Sequence, residues 1–525
     1  MSDDTFVSFA ERLLSNAHAI AQRPAIVCDG AVLTYGALIK KASACAGRLQ
    51  SLDLEPQGRR RVAIIAANSL DYATIIVACQ LAAVPVVPLP CLVGADALAR
   101  MLDDAEVAVV FYDQDYAEKA LTAIHSSRTT TMTAVKIGPS ERAGEEHTLL
   151  DAWLASQSGR FTPPTIEPDW ESDLIYSSGT TGLPKGITQT HRGRVRQSIG
   201  LAQLGIGNGV SVFHTVGQYS NFGMIAIFLA LWWHGTFYLT RKFSGAGLRD
   251  TLLEKRIDLT FVVPATLMRA LETPGFDAVA QRAPCIKLSS GAPLSKALKQ
   301  QTLAHWPGPL FDAYGQTETG ALTMLRADSV ADDKLGSVGT PLPTTVLRIL
   351  DDAGNPLPVG AEGEIAAHTP TLMSGYHGHE EATEAVHWRD EQGRLYIRTG
   401  DIGRLDQDGY LWLCDRKKDL IISGGFNIYP ADIERELEAH PAVLEAAVVG
   451  APSARWGETP VAFVTLRDSH RVDAQELQSW VNARVGSVQR VAAIRILQEL
   501  PRGALGKILK RELRQYVAEM IGSLP

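Results

Sequence analysis

Residues 176–186 read YSSGTTGLPKG, and the rest of the chain is organised around them. Ser177, Ser178, Thr180 and Thr181 alternate with Gly179, Gly182 and Gly186, and Lys185 closes the run. The preceding ESDLIY has the pattern of a strand end, so the run is expected to leave a sheet edge as an exposed loop. Its glycines allow sharp turns and positive φ, which lets successive N–H groups crowd toward one point. Such a nest, ringed by hydroxyls and one ammonium, suits a polyphosphate. The common P-loop does not fit, because it needs Gly where Pro184 stands and Ser or Thr where Gly186 stands. A flexible Ser/Gly linker is the plainer reading of this composition. Pro184-Lys185 and the apolar flanks argue against it.

On the N-terminal side of the loop the pattern alternates. RRVAIIAA (60–67) reads as a strand, Asn68 to Ala83 as a helix and VPVVPL (84–89) as a strand, a β-α-β unit with a right-handed crossover expected. A helix over Ala97 to Asp104 and a strand VAVVFY (107–112) continue it, and Asp29-Gly30 in AIVCDGAVLTY marks a hairpin. The polar stretch from about Ser126 to Glu171 shows little periodicity. Beyond the loop the alternation resumes with VSVFH (210–214), an apolar helix near 222–233, TFYLT (236–240) and DLTFVV (258–263), then a helix after Pro264. IKLSSGAPLS (286–295) and LFDAYGQTETG (310–320) each resemble a strand delivering polar residues at its C-terminal end, where ligands collect in open α/β sheets.

From about residue 336 the texture changes to short strands and tight turns, with hairpin signals at Asp352-Ala353-Gly354 and Asp408-Gly409. After Asp415 a compact α+β unit is expected: helices over 430–438 and 473–484, strands near 443–450, 460–467 and 493–498, and a final helix from Ile508. The fold class is therefore α/β. A large N-terminal domain of layered sheets plus a small β region (1–416) precedes a small mobile α+β C-terminal domain (417–525). No internal repeat is visible.

Composition narrows the function classes. A hydrophobic fraction of 46% and a charged fraction of 21% are ordinary for a soluble globular protein. A net charge of −8 without a basic block gives no reason to expect a nucleic-acid partner. Six cysteines lie far apart with no C-x-x-C, as in reduced, mostly buried thiols of a cytoplasmic enzyme. Residues 1–18 are acidic and amphipathic, without a signal-peptide core. The most apolar run, Met224 to Trp233, has ten residues where a membrane span needs ~20, so a buried helix is expected.

Six motifs follow one another: YSSGTTGLPKG (176–186), SSGAPLS (289–295), YGQTE (314–318), RTGD (398–401), DRKKDLIISGGFNIYPADIE (415–434) and PRGALGK (501–507). In order and spacing the chain resembles the adenylate-forming acyl-CoA synthetase superfamily over nearly its whole length. That superfamily also holds peptide-synthetase adenylation domains and beetle luciferases. The resemblance implies a two-step reaction. A carboxylate attacks the α-phosphate of ATP, giving acyl-adenylate and pyrophosphate, and a thiol then takes the acyl group. The first step sets an anion against a polyanion, so positioning and charge neutralisation must carry it.

The resemblance also assigns residues. Ser177, Ser178, Gly179, Thr180, Thr181, Gly182 and Lys185 form the loop for the β- and γ-phosphates, with Thr180 and Thr181 as hydroxyl donors. Glu318 is the Mg²⁺ ligand, in keeping with a hard cation's preference for carboxylate, and Thr317 bonds the α-phosphate. Tyr314, followed by Gly315, stacks on adenine, and Gly291-Ala292-Pro293 is the adenine-site segment. Asp401 pairs with the ribose hydroxyls, with Arg416 near the ribose or the phosphates. Lys507, in a Gly503/Gly506 turn, reaches the acyl carboxylate and α-phosphate as a point charge on a long stem. A hinge at Lys418 would withdraw it to admit the thiol, and SGGFN, with Gly424 and Gly425, would line the thiol tunnel. Lys417-Lys418 also reads as an exposed charge pair.

The acyl pocket implied by the resemblance centres on FHTVGQYSNFG (213–223). Between Gly205 and Arg249 there is no Asp or Glu, and burying a substrate ammonium without one would cost several kcal/mol, which disfavours an amino acid. Gln218, Tyr219 and Asn221 offer hydrogen bonds, while Phe222 and the apolar helix suit an aryl or medium-chain aliphatic acid. His214, grouped with Lys507, Glu318 and Thr181 as catalytic, is a pocket wall or gate, or a packed core histidine. No carrier domain is visible after the Lys507 motif, so the thiol is expected from outside, as CoA or on a separate carrier protein. A stand-alone carrier-loading enzyme, a non-catalytic acyl- or nucleotide-binding homologue and a luciferase-like oxygenase are the competing readings. Loss of Lys507, Glu318 or Asp401 would mark the non-catalytic one, and all three are present.

Overall fold

The computed structural model describes residues 6–52, 54, 60–129, 131–138, 148–156, 161–177, 185–417, 419–423, 426–453, 456–467, 471–486, 489–503 and 507–520. The chain divides into two compact units, Met1–Thr345 with His368–His387, and Val346–Ala367 with Trp388–Pro525. The expected domain boundary at 416/417 falls inside the second unit.

The first unit carries two sheets. In the larger, of nine strands among the described residues, the order runs Thr340–Pro341, Gly320–Arg326, Leu310–Gln316, Ile286–Ser289, Leu259–Val262, Ser211–His214, Thr236–Leu239, Pro24–Cys28, Ala31–Thr34. Pairing is parallel from Leu310–Gln316 through to Pro24–Cys28 and antiparallel at both edges. The second sheet orders Gly375–Tyr376, Lys185–Thr190, Glu171–Ser177, Val86–Pro88, Arg61–Ile65, Val107–Tyr112 and Thr133–Lys136. Its inner strands are apolar on both faces, as in RVAII and VAVVFY, because a parallel sheet is covered on both sides.

Two helices, Leu70–Ala82 and Asn221–Trp232, are apolar nearly all round and share one core with strands of both sheets. A helix with no polar face has to be enclosed, and each fully buried Leu or Phe in it contributes about 1.5–3 kcal/mol. Ser69 and Ser220 start these helices by accepting the N–H groups of Tyr72 and Gly223. The stretch expected as a buried helix near 222–233 is therefore one. Among the described residues no helix is long and apolar enough to cross a membrane.

The Asp29-Gly30 hairpin forms with both residues at positive φ, 46° and 83°, as a tight two-residue turn requires. The strands and helices expected between residues 60 and 112 and between 210 and 316 are found within a few positions. The polar stretch 126–171 differs from its expectation. It contains a strand, Thr133–Lys136, paired to Val107–Tyr112, and a short helix, Leu150–Ala155.

In the second unit, a sheet of short strands orders Val346–Leu350, Gly363–His368, Leu395–Leu405 and His387–Arg389, with Leu411–Arg416 paired to Leu395–Leu405. A further sheet orders Phe426–Ile428, Ile421–Ser423, Gly457–Leu466 and Val443–Ser453, with Ala493–Ile496 parallel to Gly457–Leu466. Helices Pro430–Glu438, Ala474–Asn482 and Lys510–Met520 accompany it. This is the α+β unit expected after Asp415. The six cysteines are free thiols, and all but Cys414 are buried.

Candidate active site

In the first unit, the C-terminal ends of four neighbouring parallel strands bring the expected residues to one edge. Ser211–His214 ends on His214, Leu259–Val262 runs into Val263, Ile286–Ser289 into Ser290-Gly291, and Leu310–Gln316 into Thr317-Glu318. Ser290 Oγ donates to Ala313 O at 2.9 Å and ties the Ser290-Gly291 turn to the next strand. Gly291 has φ 87°, a left-handed conformation that explains glycine at the head of Gly291-Ala292-Pro293. Tyr314 is buried at 8% exposure. Gly315 admits no side chain, because a Cβ there would lie 2.1 Å from Gly320 O.

His214 is fully buried, and rings of Phe222, Phe237 and Phe261 lie with centroids 6.1–6.2 Å from its own. Neither ring nitrogen makes a well-formed hydrogen bond among the described residues. Burial pushes its pKa down to about 3, against a smaller opposing pull from the Gly217 backbone. The imidazole is a neutral group in an aromatic setting. The loop after it is pinned: Gln218 N–H donates to Asn68 Oδ1 at 2.8 Å, and Asn68 Nδ2 donates to Val216 O at 3.1 Å. Nearby, Arg194 is buried against Asp173, with Nε donating to Oδ2 at 2.8 Å, and Nη1 donates to Asn221 Oδ1 at 2.6 Å.

The turn carrying Thr317 and Glu318 is gripped through its backbone. Gln189 Nε2 donates to Thr317 O at 2.7 Å, Met373 N–H to Glu318 O at 2.7 Å and Thr371 Oγ1 to Thr319 O at 2.8 Å. Among the described residues the Glu318 carboxylate has one hydrogen-bond partner, the Tyr376 hydroxyl, on Oε1 at 3.0 Å. A second oxygen thus remains to face a cation. Magnesium bound through nucleotide phosphates needs only one or two protein carboxylates, so this donor fits it. Among the described residues no group of three or more His, Cys, Asp or Glu forms a cage.

Of the expected phosphate loop, Ser178, Gly179, Thr180, Thr181 and Gly182 lie outside the described residues. Its base is visible: Ser177 pairs with Lys185 where strands Glu171–Ser177 and Lys185–Thr190 run antiparallel. Lys185 Nζ sits 5.0 Å from the ring centroid of Tyr376. Behind the base, Tyr176 donates to Asp104 at 2.5 Å, and buried Arg61 grips Glu171 at 2.6 Å. Tyr376, Gln189 and Thr371 escaped the sequence reading. They belong to none of the six motifs and meet the turn through side-chain hydrogen bonds between residues far apart in sequence.

In the second unit, Asp401 and Arg416 stand opposite each other on paired strands, joined by Arg416 Nε to Asp401 Oδ1 at 2.7 Å. Asp415 accepts the N–H groups of Arg416 at 2.7 Å and Ala431 at 3.1 Å. Burial raises its pKa to about 6, with Lys510 pulling the other way. Lys510 pairs with Glu434 at 2.8 Å and Arg514 with Asp419 at 2.8 Å. Lys507 is exposed, Gly503 N–H donates to Lys507 O at 2.8 Å, and Arg502 and Ile508 form an isolated antiparallel bridge. Lys418, Gly424 and Gly425 lie outside the described residues.

In an α/β scaffold, a hydroxyl- and carboxylate-bearing turn at the C-terminal ends of parallel strands lies where such folds bind their ligands. The sequence matches the AMP-binding enzyme family over residues 14–377 and the AMP-binding enzyme C-terminal domain over residues 432–507. The chain belongs to this family, the adenylate-forming acyl-CoA synthetase superfamily. It is 32% identical to the fatty acid–[acyl-carrier-protein] ligase ScoC of Streptomyces coeruleorubidus, over 94% of this chain and 93% of that one. It is also 32% identical to a 2-succinylbenzoate–CoA ligase of Bacillus cereus, over 97% and 98% of the two chains. The o-succinylbenzoate CoA synthetase of Bacillus subtilis, solved with its acyl-adenylate intermediate OSB-AMP, superposes with a TM-score of 0.82 at 27% identity, covering 96% of this chain and 97% of that one.

Proposed function

We propose that this chain is an AMP-forming acid–thiol ligase that activates an aryl or medium-chain aliphatic acid with ATP and passes the acyl group to CoA. The observation that carries the reading is the single strand-end edge holding His214, the Ser289–Gly291 turn and the Tyr314–Glu318 turn. In this reading Tyr314 and Gly291-Ala292-Pro293 hold adenine, Thr317 binds the α-phosphate, and residues 177–185 hold the β- and γ-phosphates. Asp401 accepts from the ribose hydroxyls, with Arg416 keeping its carboxylate in place. Glu318 holds magnesium, which when bound neutralises phosphate charge as pyrophosphate leaves.

Lys507 neutralises the carboxylate and α-phosphate while the C–O–P linkage forms. Residues 417–525 form the mobile domain in this account, turning about Lys418 so that Gly424 and Gly425 admit the thiol. His214 and the rings beside it favour an apolar acyl group, and with no acid between Gly205 and Arg249 a substrate ammonium would have no partner there. A cytoplasmic location accords with free, buried thiols.

A carrier protein as acceptor is the second reading, favoured by the similarity to a carrier-protein ligase. Mass spectrometry of incubations with ATP, a panel of acids and either CoA or a holo-carrier tests both. Acyl-CoA is the expected product. Acyl-carrier without acyl-CoA would replace the first reading by the second, and no acyl product of any kind would overturn both.

A further inference from the structure

Three successive carbonyls of the Thr317–Thr319 turn are each held by a different side chain or N–H group. The backbone under Glu318 is therefore fixed, and the remaining freedom is the rotation of its side chain. Among the described residues one contact limits it, the Tyr376 hydroxyl on Glu318 Oε1 at 3.0 Å. Tyr376 is itself anchored, its backbone paired with Ile187 and its N–H donating to Thr383 Oγ1 at 2.9 Å. The same ring carries Lys185 Nζ over its face at 5.0 Å, a cation–π arrangement. It thus meets both the lysine of the 176–186 motif and the carboxylate of the 314–318 motif.

We propose that Tyr376 is a positioning residue for the metal site: its hydroxyl occupies Glu318 Oε1 and presents Oε2 to the magnesium of the bound nucleotide, while its ring couples that carboxylate to Lys185. The inference rests on the reading of Glu318 as the magnesium ligand. Tyr376 exchanges no proton in this role. A partner that orients a ligating group changes metal affinity by about 10–100-fold.

The test uses the full-length chain as wild type, Tyr376→Phe and Glu318→Gln. Manganese binding in the presence of a non-hydrolysable ATP analogue is read by electron paramagnetic resonance. The magnesium dependence of pyrophosphate release and CoA thiolysis of a synthetic acyl-adenylate are measured beside it, with thermal melting confirming that each variant is folded. Tyr376→Phe keeps the ring and loses only the hydroxyl. It should bind manganese about 10–100-fold more weakly and need correspondingly more magnesium, with thiolysis and the rate at saturating magnesium within about threefold. If Tyr376→Phe binds metal like wild type while Glu318→Gln does not, the positioning role is wrong and the ligand stands. If neither variant changes metal binding, the reading of Glu318 fails and takes this inference with it.

Discussion

Lys507 is exposed, so if it neutralises charge as proposed, its removal should affect the reaction and leave the fold intact. Lys507→Ala is expected to lower pyrophosphate release by about 10²–10³-fold, the range for losing one preorganised charge-stabilising group. Its melting temperature should stay within a degree or two of wild type, as for surface substitutions of about ±0.5 kcal/mol. His214 is a different case. Its folded pKa is depressed to about 3, so the fold favours the neutral ring. That stability is fully present above the ordinary pKa of about 6.5 and is lost as pH falls toward 3, at up to about 1.4 kcal/mol per pH unit. Buried His191, lowered to about 4, acts in the same sense. His214→Phe should therefore lose less stability than wild type between pH 6.5 and 4 in urea titrations. Identical slopes would mean that His214 is not buried neutral.

At the scale of elements, Lys287 shows what alternation alone conceals. In IKLS it reads as the polar position of a strand, yet it is fully buried. Its Nζ donates to the carbonyls of Trp306, Pro307 and Gly308 at 2.6–3.0 Å, closing the turn that follows helix Lys296–His305. Burial lowers its pKa to about 8. Lys287→Met keeps the stem and strips the donors from buried carbonyls, which should cost roughly 1–3 kcal/mol for each one left without water, read as a lower urea midpoint. The parallel strands were legible because each is a short apolar run bounded by turn residues. Thr133–Lys136 was not, since its four residues are only half apolar and take their strand form from pairing with Val107–Tyr112. The Tyr314–Glu318 turn was legible as a local string. Tyr376, 58 positions from Glu318, was not, because no local pattern encodes a contact made by pairing to Lys185–Thr190.

For the whole molecule, the sequence carried the family and the order of its motifs, while the division into units came from packing. Within the second unit, Asp415 reaches the N–H of Ala431 and Asp419 pairs with Arg514, so both sides of Lys418 are anchored to helices. A turn about Lys418 in the proposed cycle would have to break contacts of this kind. Lys418→Pro, which removes backbone freedom there, should slow CoA thiolysis of a supplied acyl-adenylate by about 10–100-fold and leave pyrophosphate release within about threefold. Equal effects on both steps would remove the hinge from the account. Pyrophosphate release across aryl and aliphatic acids, with and without CoA, for wild type and Lys507→Ala decides whether the chain is this ligase. Magnesium-dependent turnover is expected with one acid class, accelerated by CoA and nearly abolished by Lys507→Ala. Turnover that persists undiminished in Lys507→Ala, or none with any acid despite ATP binding, would contradict it.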